Sequence, residues 1–253
     1  MKKIVFITGA TAGFGEACAH LFAENGYDLI INGRRVDRLI ALANKLEKKF
    51  NVAVLQLPFN VQQENAVYAA INAIPTEWKN IDVLVNNAGL ALGRDFFEEA
   101  NTQDWNTMID TNIKGFLYVG KAVAALMTER KKGHIINMGS VAGKQLYEKG
   151  NVYCATKYAV DAISQGMRID LLRHGIKVTS INPGAAETEF SIVRFKGDDE
   201  TAKKIYDGLK PLSAMDVATV VFYCTTLPPH VCINDLTITC LQQANAVFFN
   251  RHS

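Results

Sequence analysis

Seven short apolar runs punctuate the chain, and a helical pattern separates each from the next. The runs are KIVFIT (3–8), YDLIING (27–33), NVAVLQL (51–57), IDVLVNNAG (81–89), GHIINMGS (133–140), IKVTSINPG (176–184) and VCINDLTIT (231–239). Several are apolar at successive positions, as strands buried on both faces of a parallel sheet are. The helical patterns cover 14–25, 36–49, 62–74, 103–131, 151–174 and 214–226. Such alternation leaves few architectures. Parallel strands need long crossovers, those crossovers are right-handed, and their helices cover both faces of the sheet. The chain is therefore expected to form an α/β, Rossmann-type doubly wound parallel sheet of about seven strands. All 253 residues read as one domain, with no internal linker, repeat or low-complexity tract. One stretch, 185–212, is rich in charge and poor in periodicity. It follows a strand, on the edge where open α/β sheets bind ligands, and reads as a substrate lid.

Composition removes several function classes. The net charge is +2 and no basic block is long enough to suggest nucleic acid. Five cysteines, Cys18, Cys154, Cys224, Cys232 and Cys240, have neither metal-ligand nor redox spacing, and the five histidines are scattered. No metal site is expected, and the thiols read as reduced. The apolar run in MKKIVFITGA is too short for a signal peptide, and no stretch approaches the roughly 20 apolar residues of a membrane span. A soluble, cytoplasmic protein is expected.

The first strand runs into TGATAGFG (8–15), with Gly9, Gly13 and Gly15 spaced G-x-x-x-G-x-G. Glycines permit a tight turn and a close approach of backbone to a pyrophosphate, and the next helix offers unpaired N–H groups. The second strand ends at NGRR (32–35), with no carboxylate for a ribose 2′-hydroxyl but with Arg34 and Arg35. Guanidinium groups suit a 2′-phosphate. A solvated basic turn is the alternative, but two cations at a helix start oppose its dipole, and a bound phosphate relieves that conflict. NADP is the expected cofactor.

A further stretch, SVAGKQLYEKGNVYCATKYAV (140–160), places Tyr153 four residues before Lys157 and thirteen after Ser140. With these motifs together, the chain resembles the short-chain dehydrogenase/reductase family across almost its whole length. The resemblance rests on TGATAGFG, NNAG (86–89), TNIKG (111–115), NMGS (137–140), YCATK (153–157) and NPGAAET (182–188), in order. Within the family it is similar to the NADP-dependent 3-hydroxy acid dehydrogenases that oxidise serine and L-allo-threonine, on GATAGFGE, NNAGLALG, MIDTN and ETEFS followed by VRFKGD. The resemblance implies a homotetramer. It implies Tyr153 as general acid/base, Lys157 as its partner, Ser140 holding the reacting oxygen and Asn112 supporting a proton relay. It also implies a cofactor site built from Gly9, Thr11, Ala12, Gly13, Phe14, Gly15, Asn60, Val61, Asn87, Tyr153, Lys157, Pro183, Gly184 and Thr188. Asn60 departs from the family, which usually has Asp beside the adenine. Asparagine keeps an acceptor oxygen and loses the charge.

The chemistry asks for these residue types. Oxidising a secondary alcohol leaves a proton to remove, and a phenol with a pKa near 10 is a poor base at neutral pH. An ammonium one helical turn away favours the phenolate. Ser140, at a strand end, is placed to bond the substrate oxygen. A 3-hydroxy acid also needs a cation for its carboxylate. Arg194 and Lys196 in the lid are the candidates for substrate binding beside Ser140 and Tyr153; Lys144 lies just after Ser140. Surface charge or a lid-to-body ion pair is the alternative role for the lid cations. Reduction of malonic semialdehyde is the reverse reading of the same chemistry. A general carbonyl or 3-ketoacyl reductase and a non-catalytic NADPH sensor are the competing readings.

Overall fold

A computed structural model describes residues 2–251. The elements run β1 (Ile4–Ile7), α1 (Gly13–Glu24), β2 (Asp28–Gly33), α2 (Val36–Phe50), β3 (Val54–Pro58), α3 (Glu64–Asn72), β4 (Ile81–Asn86), α4 (Thr102–Ile109), α5 (Phe116–Arg130), β5 (Gly133–Met138), α6 (Asn151–Leu171), β6 (Ile176–Pro183), α7 (Glu189–Arg194), α8 (Asp199–Lys204), α9 (Ala214–Thr226) and β7 (Asp235–Ile238). The seven strands form one sheet, wholly parallel, in the order β3-β2-β1-β4-β5-β6-β7. The doubly wound sheet expected from the apolar runs is the fold.

The successive apolar residues of the strands divide between two layers. In β1, Val5 and Ile7 join a core with Phe22, Leu39, Leu46 and Val221, while Ile4 and Phe6 join a second core with Val67, Val119, Val123 and Met127. Each fully buried side chain of this size contributes roughly 1.5–3 kcal/mol. Helix α2 shows how the outer layer docks. Its buried residues Leu39, Leu42, Ala43 and Leu46 recur at helical spacing, and Asn51 ends it in a left-handed conformation with φ 53°. Helix α9 starts at a capping box formed by Ser213 and Asp216.

Two elements differ from their sequence patterns. The stretch 103–131 is two helices joined by a π-helical turn, Asp110–Gly115, rather than one helix. The stretch 185–212 holds two short helices, α7 and α8, capped by Thr188 and Asp198. Six residues are too few to register as a period. No helix among the described residues is long and apolar enough to cross a membrane.

Strand order reverses between β1 and β4, so the loops leaving their carboxyl ends diverge and open a crevice. A cavity of about 800 Å³ lies there, lined from the β1–α1 loop to the 185–212 stretch and the C-terminal tail.

Candidate active site

At one end of the cavity the glycine loop is tied to β4. The Thr8 hydroxyl accepts the N–H groups of Asn87 and Ala88, both at 2.9 Å, and Asn87 Nδ2 donates to the Thr8 carbonyl at 2.9 Å. Gly9 and Gly13 take φ of +65° and +55°, the region where a side chain is strained. Thr11, Ala12, Gly13 and Phe14 line the cavity. Gly15 lies beneath them, and a Cβ there would strike the Gly9 carbonyl. The N-cap of α1, Ala12, makes no side-chain cap bond. The first-turn N–H groups therefore remain available to an anion. This is the cradle a dinucleotide pyrophosphate fits.

Arg34 and Arg35 both reach the same cavity. Arg35 donates to Thr11 Oγ1 at 3.1 Å and to Glu189 Oε2 at 3.1 Å. Asn60 and Val61 also line the wall; Asn60 Oδ1 accepts the Gln62 N–H at 3.1 Å and keeps a second lone pair. Pro183, Gly184 and Thr188 line it from the end of β6, with the Thr188 side chain facing Gly13.

Helix α6 brings Tyr153 and Lys157 together. Tyr153 and Lys157 are buried one turn apart on its inner face. Lys157 Nζ donates to the Met138 carbonyl at 2.9 Å and lies 6.0 Å from the centre of the Tyr153 ring. Burial pushes the Lys157 ammonium down to about 8. Tyr153 departs from the expectation of a lowered pKa. Burial is the largest influence and raises it; Tyr147 raises it further, while Ser140 and Arg194 pull it down. Near neutrality the phenol keeps its proton and Lys157 remains mostly charged. Ser140 follows β5 and accepts the Ala142 N–H at 3.1 Å, which fixes its oxygen at the cavity wall.

Asn112 is placed differently. It sits in the π-helical turn, buried, and is not part of the wall. Its Oδ1 accepts the Leu90 N–H at 2.9 Å, and its Nδ2 donates to the Leu90 carbonyl at 2.7 Å and to Thr156 Oγ1 at 3.1 Å.

Arg194 and Lys196 separate. Arg194, buried at the end of α7, donates to Tyr147 Oη at 3.0 Å, and its guanidinium lies 5.5 Å from the Tyr153 ring centre. Lys196 does not reach the cavity; Asp104 holds its Nζ at 2.8 Å. Lys144 is likewise taken, by Asp161 and Asp235 at 2.7 Å each. Sequence reasoning missed Tyr147, Arg94 and Phe190, which line the same cavity as Tyr153. Tyr147, between Ser140 and Tyr153 in a glycine-flanked loop, carried a signal; Arg94 and Phe190 carried none. It also missed Val247, Phe249 and Arg251 of the C-terminal tail on the same wall.

A cradle that fits a pyrophosphate and a buried phenol beside an ammonium thus share one cavity. A family model described as short chain dehydrogenase matches residues 3–199, and the chain belongs to that family. It is 48% identical over 244 residues to the NADP-dependent 3-hydroxy acid dehydrogenase YdfG of Salmonella typhi, covering 96% of this chain and 97% of that protein. It is 43% identical over 249 residues to sulfoacetaldehyde reductase 2 of Chromohalobacter salexigens, covering 98% of each. A solved structure of the closed form of serine dehydrogenase complexed with NADP+ superposes with a TM-score of 0.91, at 46% identity and 99% coverage of both chains.

Proposed function

We propose that the protein is an NADP-dependent oxidoreductase that interconverts short 3-hydroxy acids and the matching carbonyl acids, with serine, L-allo-threonine, 3-hydroxypropionate and malonic semialdehyde as the substrate set. One observation carries the reading. Arg194 is a buried cation 5.5 Å from the Tyr153 ring, facing the cavity that holds the proton donor. In a 3-hydroxy acid the carboxylate carbon is two bonds from the reacting carbon. In sulfoacetaldehyde the sulfur stands at the same remove. Relatives named for either substrate class thus share one demand: a cation close to the reacting oxygen. Arg194, steadied by Tyr147, supplies it. Arg34 and Arg35 support NADP over NAD, since no carboxylate ends β2.

Bound NADPH would supply the hydride. The chain's own groups do the rest. Ser140 fixes the substrate oxygen, and Tyr153 gives that oxygen a proton as it gains charge. Lys157 steadies the phenolate left behind. A phenol whose burial holds its proton suits reduction; the positive nicotinamide of the oxidised cofactor acts in the opposite sense and supports the base role in oxidation. Asn112 holds Leu90 and α6 in register behind the pair and is a positioning residue. A homotetramer is supported by the outer face of α6, where Tyr158 and Ile169 are exposed at helical spacing with Ala162 and Gln165, and by exposed Leu172 just beyond its end.

The test is NADP+ reduction with L-serine, D-serine, L-allo-threonine, 3-hydroxypropionate and an uncharged secondary alcohol, with NAD+ as control, and NADPH oxidation by malonic semialdehyde and sulfoacetaldehyde. Arg194→Met should raise KM for the acids by roughly 10- to 100-fold, the worth of a lost charge-assisted hydrogen bond, and spare the uncharged alcohol. Turnover of the uncharged alcohol alone would remove the acid assignment. Faster reduction of sulfoacetaldehyde than of malonic semialdehyde would move it to sulfonates.

A further inference from the structure

Beside the glycine loop, the structure holds an ion cluster that the family motifs do not explain. Glu189, the first residue of α7, receives Arg38 Nη1 on both oxygens, at 2.7 and 3.0 Å, and Arg35 Nη1 at 3.1 Å. Arg38 stands one helical turn beyond Arg35, the N-cap of α2, so two guanidinium groups meet on one carboxylate, and Arg34 lines the adjoining cavity as a third cation. Arg35 is also fastened to Thr11 of the pyrophosphate loop. Arg35 and Glu189 both line the cofactor cavity.

The cluster is a poor stability device. Its side chains are between 43% and 48% exposed, and ion pairs so exposed contribute little. Burial opposes ionisation of Glu189, but the hydrogen bonds from Arg38 and Arg35 outweigh it and hold the carboxyl below its ordinary range. Glu189 is therefore an anion at neutral pH. Three guanidinium groups and one carboxylate leave two positive charges, against a phosphate monoester of about −1.5 to −2.

We infer that Glu189 is the protein's own counter-anion at the 2′-phosphate site, and that its carboxylate competes with the cofactor's 2′-phosphate for Arg35 and Arg38. The inference rests on the NADP reading above. Arg38 stands outside the cavity wall and enters the site through the carboxylate it holds, which makes Glu189 an internal check on NADP affinity. NAD, whose 2′-hydroxyl carries no charge, has no need to displace it. The exchange also reaches the substrate end. Glu189 opens the six-residue helix that Arg194 closes, so α7 links the 2′-phosphate corner to the cation beside Tyr153.

The experiment is direct titration of NADPH and NADH fluorescence with the wild-type chain, Glu189→Gln, Glu189→Ala and Arg38→Met. Removing the competing anion should tighten NADPH about five-fold in both Glu189 variants, the upper range for an exposed ion pair. Arg38→Met should weaken NADPH by a similar factor. NADH should stay within two-fold of wild type in all three. Hydrogen exchange of α7 should change on NADPH addition to the wild-type chain and not on NADH addition. An unchanged or weakened NADPH affinity in the Glu189 variants, or equal shifts for both cofactors, overturns the inference; weakening would mean that the carboxylate organises the arginines instead of competing for them. A wild-type chain that binds NADH and not NADPH would show, before any variant is made, that the cofactor reading itself has failed.

Discussion

At Tyr153 influences of opposite sign meet. Burial holds the proton on, while Ser140 and Arg194 act to release it. Tyr153→Phe removes the hydroxyl and leaves the ring, with its contact to Phe190 at 5.7 Å between centroids. Turnover should fall by at least the roughly 10²- to 10⁴-fold that general acid catalysis supplies, while NADPH affinity by fluorescence titration stays at the wild-type value. Retained turnover would mean that another group delivers the proton. That Tyr153, Lys157 and Ser140 stand on one cavity wall was legible, because four residues on a helix share a face and a strand end fixes the third, while the roles proposed for them came from the family's motifs. The two cations of the 185–212 stretch were not separable. Arg194 and Lys196 lie two residues apart with the same charge, and only packing decides that Asp104 captures one while Tyr147 steadies the other. The direction of the Tyr153 shift was also illegible, because it depends on burial and not on which residues are near in sequence.

The π-helical turn is the element that periodicity concealed. One extra residue barely disturbs an apolar pattern long enough to read as a single helix over 103–131, yet it turns Asn112 toward Leu90 and Thr156. Asn112→Ala would leave the buried Leu90 N–H and carbonyl without these partners, at a cost of about 1–3 kcal/mol, or several degrees of Tm for a chain of this length. A fall in Tm accompanied by a fall in kcat supports a positioning role. A fall in kcat at unchanged Tm would assign the side chain to the reaction itself. The 185–212 stretch shows the converse case: Thr188 and Asp198 are ordinary cap residues in the sequence, but helices of six residues offer too little pattern to turn caps into helices.

Across the whole molecule, the sheet was legible because strands covered on both faces must be apolar throughout, and helices must supply the crossovers. The tail's place on the cavity wall was not, since Phe249 and Arg251 share a wall with residues of the glycine loop more than 230 positions away in sequence. The same global burial creates a liability at His134, on β5 near the middle of the sheet. Its Nε2 lies 2.7 Å from Thr179 Oγ1, and its Nδ1 has no hydrogen-bond partner among the described residues. Burial, with Lys177 acting in the same direction, pushes its pKa down to about 3, against 6.5 for an unperturbed imidazole. Below pH 6.5 the unfolded chain takes up a proton that the folded chain refuses, so this residue destabilises the fold progressively as pH falls toward 3. At pH 5 the contribution is about 2 kcal/mol, one and a half pKa units at about 1.36 kcal/mol each. His134→Asn keeps a polar group beside Thr179 and cannot titrate. Urea unfolding at pH 7.5 and pH 5.0, at one protein concentration, should show the wild-type chain losing about 2 kcal/mol more than the variant between the two pH values. Equal losses in both would place the acid sensitivity elsewhere in the fold.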